Sequence, residues 1–455
     1  MACTSQCLAS QISYRRHKSI KNMPFTKSSP LKIVIFAHGH PRFSPGGGEH
    51  AAFALFKLLQ EQANIKAWFV AASDPTSQSF GTSIGSLSAH ELLISRASCD
   101  FFYHSSTRLD ESSELRAWIN QIQPDILHFH HFAHLGIDLI LALLGLLPNA
   151  TGILTLHEYL TICAYKGQLL RKDGRICTDG PSIPDCSQCV PNHSATDLSM
   201  RSVMMEAMLS KLDHLISPSI DLAQRLPNHV ECSTPISIIE NALQIPPKQK
   251  HISSHIADSS ASNLVTFGYF GQIHPSKGLH IIIKAFKIAL IENPTLYLVI
   301  HGTDIYTKNH PNAELQNYFD YIKELIKPIE EHVYVHGPYI PDELTGLISN
   351  VQWMVMGSIW YENSPVVIQE AFLHRCPLLV PSLGGMAEKV RDGLDGYHYL
   401  PRSPISLAQL MLFVASRPQC RENILSTLQY PINNSEVINS HLELYHELVN
   451  KKKSI

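Results

Sequence analysis

The sequence predicts an α/β chain made of two doubly wound domains. Three observations carry that expectation. Short apolar runs of strand type alternate with longer amphipathic stretches of helix type along most of the chain. The 455 residues exceed what one typical core covers, and a polar stretch after Asn241 (PPKQKHISSHIADSSASN) separates two halves of the same kind. Residues 351–400 spell out strand, helix, strand, helix with unusual clarity.

In chain order, residues 1–30 hold Arg15, Arg16, Lys18, Lys21 and Lys27 without an acid and without an apolar core of signal-peptide type. They read as a disordered basic tail, solvated first and able to touch anionic lipid second. Residues 31–240 form the first domain. KIVIFA (32–37) has a buried-strand pattern, and after a loop rich in Gly and Pro a helix is expected from near Glu49, with Ala52, Leu55, Phe56 and Leu59 on one face. A strand, Gly-rich loop and helix in that order suit an anion or a ligand oxygen at the helix start. PGGGE has neither the Walker nor the GxGxxG spacing, however, so its glycines serve equally well if they only make the turn.

Residues 68–72 make the next strand and 115–122 a helix. DILHF (125–129) is a strand that delivers His128, His130, His131 and His134. Alternation would turn His128 and His130 to one face and His131 to the other, which disfavours a shared metal ion. Residues 152–156 form a strand ending in His157-Glu158-Tyr159, and a histidine at a strand's carboxyl end can hydrogen-bond a ligand hydroxyl or take a proton. An insertion over 163–194 then carries Cys163, Cys177, Cys186 and Cys189. One CxxC pair plus two upstream cysteines is the ligand count of a closed structural zinc site, but the spacings are irregular, so zinc and four reduced or redox-active thiols stand level. A helix over 198–211, a strand over 214–217, a helix over 219–225 and a strand over 236–240 complete the domain.

Residues 241–262 read as a linker and 263–415 as the second domain. It opens with a strand (264–270), the turn GQIHPSKG and a helix over 279–291. Lys277, beside a glycine at a strand-to-helix turn, fits a diphosphate. Strands over 297–302 and 333–338 and a short helix over 341–348 follow. Residues 416–455 are helical, and 436–449 are amphipathic.

The densest stretch is 351–400. An apolar run ends in a Ser-aromatic loop, and Ser364-Pro365 are expected to open a helix carrying Val366, Val367, Glu370, Ala371 and Phe372. A second apolar run (377–381) leads to Gly384-Gly385 and another helix start. Strands joined by crossover helices lie parallel, so the loops at 361–364 and 382–386 leave the same sheet edge, where open α/β sheets bind ligands. Glu362 and Glu370 are separated by about 10 Å of helix rise, too far to share a proton but suited to opposite ends of one polar ligand. The glycine pair lets backbone amides approach an anion.

ENSPVVIQE followed by PLLVPSLGGMAEKVRDGLDGY resembles the donor-site signature of the family 4 retaining glycosyltransferases, also called glycosyl transferases group 1. That resemblance implies the GT-B fold, two Rossmann-like doubly wound domains facing a cleft, with the last helix crossing back to the first domain. The implied reaction is transfer of a hexosyl group from a nucleotide diphosphate sugar to a hydroxyl of a glycan or lipid-linked acceptor, with no cofactor required for catalysis. TLHEY is similar to the family's TLHDY, which makes His157 and Glu362 the catalytic candidates. The resemblance further implies that Gly47, Gly48, Gln272, Lys277, Gly302, Glu362, Asn363, Ser364, Pro365, Glu370, Gly384 and Gly385 bind the donor, and that His131 and His134 lie on the acceptor side. Some family members carry a similar cysteine-containing insertion; no catalytic metal is implied. Gln272 departs from the family's usual Arg and LHRCP (373–377) from its usual Gly. The first leaves turnover and donor preference open, and the second implies a local packing change.

Bulk numbers limit the alternatives. A net charge of −3 gives no reason to expect a nucleic-acid partner. The longest apolar run, 139–147, is far short of the roughly 20 residues of a membrane span. Ten cysteines without an export signal point to a reducing, cytoplasmic setting. Family precedent adds cell-surface polysaccharide or lipopolysaccharide assembly at the inner membrane face, with peripheral membrane contact. The competing class is a degenerate, non-catalytic GT-B protein that binds a sugar nucleotide or a protein partner, and Gln272 is the residue that favours it.

Overall fold

The computed structural model describes residues 12–13, 29–44, 46–74, 84–96, 98–105, 109, 113–178, 180–243, 264–307, 310–431 and 433–454. Most of the basic tail (1–30) and of the linker (241–262) lies outside the described residues. The chain divides into two compact units, Met1–Leu243 with Ile432–Ile455, and Gln244–Pro431.

In the first unit, apolar runs supply β1 (Ile12–Ser13), β2 (Leu31–Ala37), β3 (Ile65–Ser73), β4 (Ile84–Ser88), β5 (Glu91–Ser95), β6 (Ile126–Phe129), β7 (Thr151–Thr155), β8 (His214–Ser217) and β9 (Ile236–Ile238). They form one sheet in the order β1-β9-β8-β7-β6-β2-β3-β5-β4, parallel except for the β4–β5 pair. Residues 33–37 of β2 are buried without a break, the continuous apolar pattern of a strand covered on both faces. The helices are α1 (Gly47–Gln60), α2 (Glu114–Ile122), α3 (Ile137–Leu146), α4 (Ile183–Cys189), α5 (Ala195–Lys211) and α6 (Ile220–His229). In α1 the residues Ala51, Ala52, Leu55, Phe56 and Leu59 are buried, the 3.6-residue stripe of a helix on a sheet.

The second unit's strands are β10 (Val265–Gly271), β11 (Leu296–Gly302), β12 (Val333–Gly337), β13 (Trp353–Val355), β14 (Leu378–Pro381) and β15 (Gly396–Tyr399). They are wholly parallel in the order β12-β11-β10-β13-β14-β15, the doubly wound order 3-2-1-4-5-6. Between and after them run α7 (Leu279–Glu292), α8 (Ala313–Ile326), α9 (Leu344–Ser349), α10 (Val366–Leu373), α11 (Gly384–Lys389), α12 (Pro404–Ala415) and α13 (Pro418–Thr427). The strand order reverses between β10 and β13 here, and between β2 and β6 in the first unit. In open α/β sheets such a reversal, at the strands' carboxyl ends, is where ligands bind.

The final helix, α14 (Asn434–Lys453), belongs to the first unit. Val437, Ile438, Leu444, Tyr445, Leu448 and Val449 share that unit's core with Ile33, Ile35 and Phe56. Asn434 and Leu243 exchange two hydrogen bonds, and Lys452 reaches the Ala150 carbonyl at 2.7 Å and Asp213 at 2.8 Å.

Two local expectations shift by a residue or two. Pro365, not Ser364, occupies the cap position of α10, because its backbone is still extended (φ −64°, ψ 119°) and helical geometry begins at Val366. Gly47 and Gly48 lie inside the first turn of α1 rather than before it. Among the described residues no helix is long and apolar enough to cross a membrane.

Candidate functional site

In the second unit the loops after β10 and β13 meet at the strand-order reversal. Lys277 ends a single 3-10 turn (Pro275–Lys277), and the Ile359 amide donates to the Ser276 carbonyl at 2.9 Å, tying that turn to the loop after β13. Gly278 is required there: its φ is +66°, and a Cβ would fall 1.8 Å from the Gly357 carbonyl oxygen. The result is an ion pair between two residues singled out from the sequence, Lys277 Nζ to Glu362 Oε1 at 2.5 Å. The same oxygen accepts from Ser358 Oγ at 2.7 Å and Trp360 Nε1 at 3.1 Å, and the lysine lies 5.4 Å from the Trp360 ring centroid. Glu362 is only 5% exposed, and the three donors on its Oε1 fix the carboxylate in place.

The Gly384-Gly385 pair closes on that loop from the other side. The Gly385 amide donates to the Glu362 carbonyl at 2.8 Å, and a Cβ at Gly385 would sit 1.5 Å from the Asn363 carbonyl oxygen. Close backbone packing therefore demands this glycine, and its amide is already engaged within the protein. Gly302, at the end of β11, is likewise pressed against the Gly271 carbonyl. The Gln272 carbonyl accepts from Tyr269 Oη at 2.6 Å.

Glu370, on α10, behaves differently from Glu362. Burial alone pushes its carboxyl up to about 7. Near the ends of β10, β11 and β12 the rings of Phe270, His301 and His336 stack in sequence at 4.8 Å spacings, with Tyr339 edge-on to the first two. Burial, with the Glu370 charge adding to it, raises the Tyr339 phenol.

In the first unit the reversal gathers histidines. His157, just beyond β7, shares a 3.0 Å hydrogen bond between its Nε2 and His130 Nδ1. Burial first, and the neighbouring His131 and His38 second, push His157 down to about 3, so it is a neutral imidazole at ordinary pH. His131 Nδ1 accepts from the amides of Phe132 (3.0 Å) and Ala133 (2.8 Å), which leaves its proton on Nε2, 3.2 Å from Glu158 Oε1. Burial raises Glu158 to about 8. Beside this pair, His38 Nε2 lies 3.2 Å from Glu49 Oε1, which also accepts from Ser44 Oγ at 3.1 Å. Burial opposes the Glu49 charge, but the bonds from His38, from its own amide and from Ser44 outweigh it and hold the carboxyl near 2.

The His38 and His131 rings are 4.5 Å apart, and a Cβ on Gly48 would touch both His38 and His157. Thus His157, His131 and Gly48 come together, joined by His38, Glu49 and Glu158, which sequence reasoning did not select. His134 sits at the rim against Arg96, and burial followed by that guanidinium lowers it to about 4. His128 is a core residue, bonded to Tyr445 Oη at 2.7 Å and Thr155 Oγ1 at 2.8 Å.

Residues 255–426 match the family model described as glycosyl transferases group 1. Lipopolysaccharide 1,2-N-acetylglucosaminetransferase of Salmonella typhimurium (strain LT2) is 27% identical over 130 residues, 29% of this chain and 33% of that protein. Spore coat protein SA of Bacillus subtilis (strain 168) is 26% identical over 129 residues, 28% of this chain and 33% of that protein. The match thus spans about a third of the length of these curated relatives. Sucrose-phosphate synthase from Thermosynechococcus elongatus superposes with a TM-score of 0.66 at 15% identity, covering 92% of this chain and 100% of that one. Anabaena Alr3699/HepE in complex with UDP and glucose gives 0.63 at 16%, covering 92% and 100%. At such identities the structural likeness speaks for the fold alone. The second unit is therefore similar in sequence to the glycosyl transferases group 1 family, within a chain that has the GT-B fold.

Proposed function

We propose that this chain is a retaining glycosyltransferase that moves a hexosyl group from a nucleoside diphosphate sugar to a hydroxyl of a glycan or lipid-linked acceptor. The observation that carries the reading is the Lys277–Glu362 pair at the second unit's strand-order reversal, with half-buried Glu370 on the following helix, all inside the family-matched residues. Glu362 with Asn363 would hold the sugar and Glu370 the ribose diol. Lys277 and Gln272, with the amides opening α11, would face the diphosphate, where a cation offsets the charge that develops on a leaving phosphate. The engaged Gly385 amide is left out of that role. The complex of Anabaena HepE with UDP-glucose makes UDP sugars the first donors to try.

Retention by a protein nucleophile would need an ionised carboxylate free to attack. In the first unit's histidine cluster Glu49 is hydrogen-bonded to His38 and Ser44, and Glu158, raised to about 8, is mainly protonated at neutral pH. Both features favour same-face transfer. In that reaction the bond from the anomeric carbon to the diphosphate oxygen breaks, the acceptor oxygen bonds to that carbon on the same face, and the acceptor's proton passes to the departing diphosphate. Neutral His157 would hydrogen-bond the transferred sugar. Incorporation into cell-surface polysaccharide or lipopolysaccharide, with the acceptor presented at the inner membrane face, is the setting this chemistry suits. No cofactor takes part in these steps.

The test is release of nucleoside diphosphate from UDP, GDP and ADP hexoses with a glycolipid extract as acceptor, the product's anomeric configuration being read by NMR. Release with retained configuration is expected. Donor binding without any release would favour a non-catalytic binder, for which Gln272 in place of Arg is the motivating residue.

A further inference from the structure

The insertion that follows the first unit's histidine cluster brings four cysteines to one place. Cys163 follows a single 3-10 turn (Tyr159–Thr161), to which its amide is bonded at 2.7 Å. Cys177 closes a small hairpin in which its amide donates to the Leu169 carbonyl at 2.8 Å and Leu170 bridges Ile176. Cys186 and Cys189 lie one turn apart on α4, whose start is capped by Ser182. All four are free thiols and none is fully exposed. They line one cavity of about 20 Å³ together with Leu169 and Pro181, room for a single ion-sized or water-sized guest.

We propose that these four cysteines bind one structural zinc ion as a closed tetrahedral thiolate site. Four soft sulfur donors, two of them in a CxxC turn, match the donor set of structural zinc. Among the described residues no three ligands already stand at coordinating spacing. Cys163 Sγ is instead turned to the Tyr165 carbonyl at 3.2 Å and Cys177 Sγ to the Gly180 carbonyl at 3.3 Å, the hydrogen bonds a protonated thiol makes. A change of χ1 rotamer redirects each sulfur without moving its backbone. Binding replaces the thiol protons, so up to four protons leave per zinc bound. Arg171, ion-paired with Asp185 at 2.7 Å and lining the same cavity as the four cysteines, stands beside the excess negative charge. A disulfide within the CxxC pair is disfavoured, because residues three apart on a helix have Cβ atoms about 5–6 Å apart and a disulfide needs about 3.5–4.5 Å.

The site braces the histidine cluster. The Gly167 carbonyl accepts from the Tyr159 amide at 3.2 Å, and Glu158 Oε2 occupies the space where a Gly167 Cβ would lie. Fixing the hairpin therefore fixes Glu158 against His131.

Zinc content of the full chain, purified with zinc in the medium and no chelator, tests this without any sugar or nucleotide, so its outcome is independent of the transferase reading. About one zinc per chain by elemental mass spectrometry is expected, released when a mercurial blocks the thiols. Cys186→Ser with Cys189→Ser should abolish it, whereas Cys99→Ser and Cys232→Ser should retain it. If the double variant fails to fold, Cys163→Ser alone and chelation of the wild type give the same reading, through zinc loss and a lowered Tm. Substoichiometric zinc in wild type, disulfides among these cysteines, or zinc that persists after their replacement would overturn the proposal.

Discussion

The two units share one architecture and differ in how their strand-order reversals are furnished. The second unit places a charged pair there, Lys277 on Glu362, with a half-buried acid at Glu370 whose carboxyl is raised to about 7. The first unit places histidines there, His38 against Glu49 and His131 against Glu158, with a neutral His157 beside them. A lysine and fixed donors suit a diphosphate, whereas neutral imidazoles suit hydroxyls, which both donate and accept. On the proposed reading, one fold used twice would separate binding a charged nucleotide from handling uncharged sugar oxygens by local composition alone.

The largest effect should come from the charged side. Glu362→Ala leaves Lys277, Ser358 and Trp360 without their shared acceptor and should lower transfer by about a thousandfold; near-normal turnover would break the comparison. His157→Ala should reduce transfer by about a hundredfold while leaving nucleoside diphosphate affinity intact, as measured by calorimetry. A parallel loss of nucleotide affinity would show that the division of labour is wrong.

The next effect is on stability. Glu370 is raised from an ordinary value near 4.5 to about 7, so the folded state holds its proton more tightly than the unfolded chain does. Stability then declines as pH rises between those values, and the whole penalty is present above 7. Glu370→Gln should therefore stabilise the protein by about 1–3 kcal/mol at pH 8 and by little at pH 4, as read from denaturant midpoints. Glu49 has the opposite sign: its contribution is present above about 4.5 and is lost as pH falls towards about 2. The smallest change concerns Glu158. Raised to about 8, it resembles a neutral amide at pH 7, so Glu158→Gln should be nearly silent there, and a decline in rate through pH 8 expected of the wild type should be absent from the variant.

How much of this was legible in the sequence follows the same division. The second unit's site lies in short runs whose spacing fixes its geometry: ENSPVVIQE carries both carboxylates, and the Lys277 turn is local. The first unit's site depends on contacts across loops. His38 meets Glu49 across a Gly-rich loop, and Glu158 meets His131 only because β6 and β7 are neighbours in the sheet. Nothing in HEY marks Glu158 as a half-buried acid with a raised carboxyl, since its surroundings are set by the sheet edge and not by the tripeptide. The reason for Gly385 was also hidden: its lack of a Cβ serves the Asn363 carbonyl, a neighbour 22 positions away in sequence. Alternation did place His128 and His130 together, with ring centroids 4.3 Å apart, but it could not show that Tyr445 of the last helix partners the first of them.

The most direct measurement is a thermal-shift panel of UDP, GDP and ADP sugars on the wild type and on Glu370→Ala. A ligand selective for the folded state adds about 2.7 kcal/mol at a hundred times its Kd, so one nucleotide class should raise the wild-type Tm by several degrees and leave the variant's unchanged. No shift with any class, or a shift that survives in Glu370→Ala, would contradict the assignment of the donor site to the second unit.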